Sequence, residues 1–249
     1  MTFRDRLRGG ELLVGTWIKT PHPHVVEVLS LSALDCLVLD AEHAPFDRTS
    51  LDLCIMAARA GDMPVLVRPA SASHDHILNA LDCGAAGIIV PHVRSAAEAR
   101  DIVRACHYEP GGRGFAGSTR AAAYTTLGMA KHRAQAEDIT VIAQIEDVEA
   151  LDAIDAIAAV DGIDALFIGR ADLTISFGAD SPDDSRVVAA VACICAAATA
   201  ARRTVGMFLA RTDDVPGWRD KGASLFILQS DHEFLLKGAS GLTEAVKHC

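Results

Sequence analysis

The chain has 249 residues, half of them hydrophobic and 22% charged, with a formal net charge of −10. That acidic balance excludes the basic footprint of a nucleic-acid-binding protein, and no apolar run approaches the ~20 residues of a membrane-spanning helix. The opening MTFRDRLRGG carries charge without an apolar core, so it does not read as a signal peptide, and a cytoplasmic location is expected.

In chain order, short β-branched or leucine-rich runs recur at 13–18, 36–40, 64–68, 87–91, 141–145, 165–168, 205–208 and 225–228. Helix-like stretches fall between them at 49–59, 75–81, 96–105, 148–158, 186–200 and 213–221. Near-continuous apolar strands alternating with amphipathic helices predict a parallel sheet covered by helices. Eight such strands favour a closed (β/α)8 TIM barrel over an open doubly wound sheet, with the whole of 1–249 as one domain. The least regular stretch, 108–135, opens with YEPGGRGFAG and reads as a long loop or lid. The seven cysteines are scattered and odd in number, which points to buried reduced thiols rather than disulfides or a zinc cluster.

Polar residues collect at one end of these strands. The segment LVLDAEHAPFD at 37–47 delivers Asp40, Glu42 and His43 directly after an apolar run. The other strands end in Trp17, in Arg68, in Gln144 with Glu146, and in Gly169 through Asp172. The opposite ends are bland: Leu13, Cys36, Pro64, Gly87 and Val205. Barrel active sites form on the carboxyl-terminal face, so the asymmetry favours an enzyme over a structural barrel.

Individual residues leave alternatives open. Glu146 and Asp172 follow adjacent strands and could ligate one hard divalent ion, Mg²⁺, Mn²⁺ or Co²⁺, or be solvated loop acids. His43 is the best general-base candidate, because His22, His24, His74, His76 and His92 fall near predicted helix starts or inside helices. His132, His232 and His248 read as surface residues. Arg68 could form a structural salt bridge or stabilise a developing oxyanion. Asp82 could be a helix-end residue or the acid that orients His43. No GxGxxG or P-loop pattern is present, which argues against nucleotide cofactors. The loops after the last two strands lack a glycine-rich phosphate cradle, so the substrate is expected to carry carboxylates.

Taken together, GTW at 15–17, LDAEHAP at 39–45, VRP at 67–69, LDCGAAGIIVPHV at 81–93, GGRG at 111–114, QIE at 144–146, VDGIDALFIG at 160–169 and ADL at 171–173 resemble the HpcH/HpaI family. These are metal-dependent class II pyruvate aldolases, including 4-hydroxy-2-oxoheptanedioate and 2-keto-3-deoxy sugar-acid aldolases. The resemblance implies Glu146 and Asp172 as metal ligands. It implies that Gln144 and the backbone around Gly169, Ala171 and Asp172 hold a pyruvate carboxylate, and that Arg68 meets the keto oxygen. His43, oriented by Asp82, would move the proton. Trp17 and Asp40 would support the pocket, with Glu42 behind the ligands. It further implies a homohexamer whose C-terminal helix packs on a neighbour. One departure is Arg170, where the family reads GPAD: this arginine either faces solvent or favours a second carboxylate on the substrate. Rival readings of the same site are oxaloacetate decarboxylation, citrate-synthase-like enolate addition and CoA-thioester lysis.

Overall fold

The computed structural model describes residues 1–247; His248 and Cys249 lie outside the described residues. Eight parallel strands close into a barrel in sequence order: β1 (Leu13–Ile18), β2 (Cys36–Asp40), β3 (Val65–Arg68), β4 (Gly87–Val90), β5 (Thr140–Ile145), β6 (Ala165–Ile168), β7 (Thr204–Leu209) and β8 (Ala223–Ser230). Helices α1 (Phe3–Arg8), α2 (Pro23–Leu29), α3 (Arg48–Ala60), α4 (His74–Asp82), α5 (Ala96–Cys106), α6 (Met129–Ala136), α7 (Ile154–Ala158), α8 (Arg170–Ser176), α9 (Ser185–Ala200), α10 (Val215–Arg219) and α11 (Asp231–Lys247) complete the chain.

The apolar strands divide their side chains between two cores. Leu37 and Leu39 join the layer between barrel and helices. Cys36 and Val38, their alternate neighbours, point into the barrel beside Leu13, Leu66, Ile142 and Phe167. This period-two division explains why each strand reads as continuously apolar: both faces are buried.

The amino-terminal end of the barrel is sealed. Helix α1 starts at a capping box on Thr2 and Asp5 and inserts Phe3 and Leu7 into the interior cluster. Arg4 pairs with buried Asp164 at 2.9 Å, and the Thr204 hydroxyl donates to the Leu7 carbonyl at 2.7 Å. Close strand packing requires glycine at 87, where a Cβ would lie 2.4 Å from the Thr140 carbonyl oxygen.

Several sequence expectations are corrected. The segment at 108–135 is a loop through residue 128, as expected, but Arg113 and His132 are buried and its end forms α6. The stretch at 213–221 is a short 3₁₀ turn followed by α10, broken where Pro216 cannot donate a backbone hydrogen bond. Residues 148–158 likewise begin as a 3₁₀ helix and continue as α7. The described cysteines are free, and Cys36, Cys54, Cys83, Cys106 and Cys195 are buried as expected, while Cys193 is exposed. Burial pushes the Cys36 thiol up to about 12.

Candidate active site

At the open, carboxyl-terminal end of the barrel lies a cavity of about 310 Å³. Trp17, His43, Arg68, Gln144, Gly169 and Asp172 all line it, as the sequence predicts. A hollow of about 350 Å³ beside Phe3 and Met63 has only Arg59 and Asp62 as ionisable lining. It lacks the converging acids that mark the first cavity.

Arg68 organises one wall. Its Nε and Nη2 donate to Asp40 Oδ1 at 3.0 and 2.8 Å, and its Nε lies 3.2 Å from Glu42 Oε2. The guanidinium stacks over Trp17 at 4.2 Å. The salt-bridge reading of Arg68 holds, and its side chain also lines the cavity. Asp40 is fully buried, accepts the His43 amide at 3.2 Å, and has its second oxygen 3.2 Å from Lys19 Nζ. Burial pushes its carboxyl up, but Arg68, the His43 amide and Lys19 outweigh that and hold it below the usual carboxylate value.

His43 projects into the cavity mouth, with Nε2 3.7 Å from Glu42 Oε2. Asp82 does not orient it. As the last residue of α4, Asp82 sits where that helix has run back toward the amino-terminal rim, and there it binds Arg113 Nη2 at 2.5 Å. The groups near His43 are Asp40, through the backbone, and Glu42, through the ring.

The opposite wall is acidic. Gln144 donates to Glu146 Oε2, leaving its own Oε1 buried without a partner. Glu146 Oε1 accepts the His92 amide at 2.8 Å. Burial drives the Glu146 carboxyl above its usual value; Gln144 and His92 oppose this, and nearby Asp172 adds to it. Asp172, in the first turn of α8, pairs with no basic side chain among the described residues. Gly169 separates the two acids: a Cβ there would lie 2.9 Å from Glu146 Oε2 and 3.5 Å from Asp172 Oδ2. Two neighbouring carboxylates, a cradle that a methyl group would fill, and an unpartnered amide oxygen fit an oxygen-ligated divalent cation.

Three residues escaped the sequence reading. Lys19, one place past β1, lines the cavity. Asp147 binds both Arg94 and His92 at 3.0 Å. His92 follows β4 immediately after Pro91, and the proline made it look like a helix start. The rule that found His43, to inspect residues just past each strand, would also have found Lys19 and His92. His132 is not a surface residue: it is buried with Nε2 2.7 Å from the Tyr108 hydroxyl. Arg170 lines the cavity with a side chain 19% exposed, but it pairs with neither Glu146 nor Asp172. Its guanidinium packs 4.9 Å over Trp218, donates to the Pro182 carbonyl at 3.2 Å and lies 3.6 Å from Asp183.

With this arrangement in place, comparison with known proteins is decisive. Residues 13–237 match the family described as HpcH/HpaI aldolase/citrate lyase. The chain belongs to the HpcH/HpaI aldolase/citrate lyase family. It is 33% identical to a hydroxypyruvate/pyruvate aldolase of Roseovarius nubinhibens, over 96% of this chain and 93% of that one. It is 34% identical to a 2-keto-3-deoxy-L-rhamnonate aldolase of Escherichia coli, over 75% of this chain and 72% of the relative. Among solved structures, an HpcH/HpaI aldolase/citrate lyase family protein from Burkholderia cenocepacia superposes with a TM-score of 0.91 at 30% identity, covering 98% of each chain. Membership of the family and the closed eight-stranded barrel agree with the sequence expectation.

Proposed function

We propose that this HpcH/HpaI family member is a divalent-metal-dependent aldolase. It reversibly cleaves a 4-hydroxy-2-oxo acid to pyruvate, or a related 2-oxo acid, and an aldehyde. The observation that carries this reading is a cavity lined by Asp172 and buried Arg68, with buried Glu146 set beside Asp172 across Gly169. The named activities of the relatives support it.

Glu146 and Asp172 would hold Mg²⁺, Mn²⁺ or Co²⁺, whose charge acidifies the methyl group next to a keto carbonyl and stabilises the resulting enolate. Gln144 and the backbone of Gly169, Ala171 and Asp172 receive the 2-oxo acid carboxylate. Arg68, locked by Asp40 and Glu42, presents its guanidinium to the oxygen on which charge develops, a fixed donor that need not reorganise during reaction. His43 takes up or delivers the proton at its ring nitrogen, with Glu42 and Asp40 rather than Asp82 setting its position. Trp17 holds the guanidinium plane and keeps water from that face.

The same reading makes the protein a homohexamer. Helix α11 supports this: Leu235, Leu242 and Val246 share a face at spacings of seven and four, and they are 64, 73 and 78% exposed. No helix among the described residues is long and apolar enough to cross a membrane. Buried, protonated thiols suit a reducing compartment such as the cytoplasm.

The test follows exchange of solvent deuterium into the pyruvate methyl group. Exchange is expected with Mg²⁺, Mn²⁺ or Co²⁺, to vanish in chelator, and to return on adding metal. Undiminished exchange in chelator would remove Glu146 and Asp172 as ligands; no exchange under any condition would sink the aldolase reading.

A further inference from the structure

His92 has a left-handed backbone, with φ of 57°, a conformation uncommon for a residue with a side chain. The bend turns its amide onto Glu146 Oε1 at 2.8 Å and sets its ring between three carboxylates. Nδ1 lies 3.0 Å from Asp147 Oδ2 and 3.4 Å from Glu146 Oε1, while Nε2 lies 3.4 Å from Glu42 Oε1. Asp147 is itself fixed by Arg94. In the neutral ring that carries its proton on Nδ1, shared with Asp147, Nε2 has a free lone pair. Metal-ligating histidines are oriented this way, one nitrogen fixed by a carboxylate and the other open to the ion. One donor atom from each of Glu42, His92 and Glu146 lies within 4.8 Å of the others. Opposed donors on a single first-row ion stand about 4.2 Å apart, for bonds of about 2.1 Å. The trio must draw in to close on one ion, because only two of three donors can stand opposed and the other pairs then lie about 3 Å apart.

We infer that His92 supplies a nitrogen ligand, alongside Glu42, to the divalent ion carried by Glu146, and that it biases the site toward Co²⁺, Zn²⁺ or Ni²⁺ over Mg²⁺. The inference rests on the reading above that Glu146 carries an ion. An imidazole donor suits those ions, whereas Mg²⁺ prefers oxygen and surrenders its water reluctantly. In the sequence the residue is one histidine among ten just past a strand; the pairing of β4 with β5 is what sets it beside Glu146.

The experiment uses the full chain loaded with Mn²⁺ and electron spin-echo spectroscopy to detect a directly bound ¹⁴N nucleus. Dissociation constants for Co²⁺ and Mg²⁺ are measured in parallel by calorimetry. The variant is His92→Asn, because asparagine tolerates left-handed backbone while its amide is too short to replace the imidazole. Asp147→Asn keeps the imidazole but removes its anchor. Wild-type protein is expected to show nitrogen coupling that His92→Asn lacks. Co²⁺ binding should weaken about tenfold or more in both variants, the usual effect of losing a ligand or the group that orients it, with a much smaller change for Mg²⁺. Bound Mn²⁺ without nitrogen coupling, or equal weakening for Co²⁺ and Mg²⁺, overturns the role of His92 and leaves the metal on Glu146 intact. Failure to bind Mn²⁺, or binding unaltered by Glu146→Gln, overturns both. The wild-type spectrum decides the question even if His92→Asn does not fold.

Discussion

Arg68 carries a structural duty as well as a chemical one, and its substitutions should separate the two. Arg68→Ala removes the buried cation that Asp40 and Glu42 share and leaves Asp40 with Lys19 alone; breaking a buried pair costs up to about 3–5 kcal/mol. Removing a fixed oxyanion donor should also slow the reaction by about 10²–10³. Arg68→Lys keeps the charge but cannot give Asp40 both Nε and Nη2 bonds, so it should recover more stability than rate. Urea melts together with methyl-exchange rates check both expectations. Asp40 adds a dependence on pH. Its folded-state carboxyl lies below the ordinary 3.8, so its contribution is complete above that value and disappears as pH falls through the folded one. Wild-type melting temperature should therefore drop more steeply below about pH 4 than that of Asp40→Asn, which starts lower and has no carboxyl to lose. Parallel curves would show that the pair contributes nothing to acid stability.

At the level of elements, the site depends on where strands stop. β5 and β6 pair in parallel register, Gln144 beside Phe167 and Ile145 beside Ile168. Glu146 and Gly169 then emerge side by side, and α8 turns back at once to bring Asp172 to the same place. Gly169→Ala should exploit this. Its Cβ would press on Glu146 Oε2 from 2.9 Å, so Mn²⁺ affinity is expected to fall about tenfold or more, as when groups around a metal ligand are disturbed. A Mn²⁺ titration alongside a thermal melt checks it; an unchanged affinity would place the ion elsewhere. Strand and helix identities were largely legible here because period and length agree with burial. The 3₁₀ segments and α6 were not, since neither presents a clear apolar stripe and tertiary contacts fix them.

For the molecule as a whole, α1 plugs one end of the barrel, and the cavity lined by Arg68 and Asp172 lies at the other. The outer surface is less finished. α11 leaves Leu235 and Leu236 64 and 69% exposed, an apolar pair available for a neighbouring subunit to cover. In solution the mass from light scattering should be a multiple of the chain mass, and Leu235→Glu combined with Leu236→Glu should shift it downward. A monomeric wild type would dismiss the hexamer and this role for α11.

The sequence alone determined the barrel, its open face and most of its lining, because apolar period and the position of charges along each strand are local properties. Trp17, Arg68, Gln144, Gly169 and Asp172 needed only the rule that barrel chemistry sits at carboxyl ends. Which groups touch was settled by tertiary structure. Asp82 follows Arg68 by fourteen places, yet α4 carries it to Arg113 at the other rim. His92 and Glu146 are 54 residues apart, yet adjacent strands bring them within a hydrogen bond. Local pattern decides which end of a strand a side chain occupies; only closure of the barrel, by fixing strand neighbours and helix direction, decides its partners.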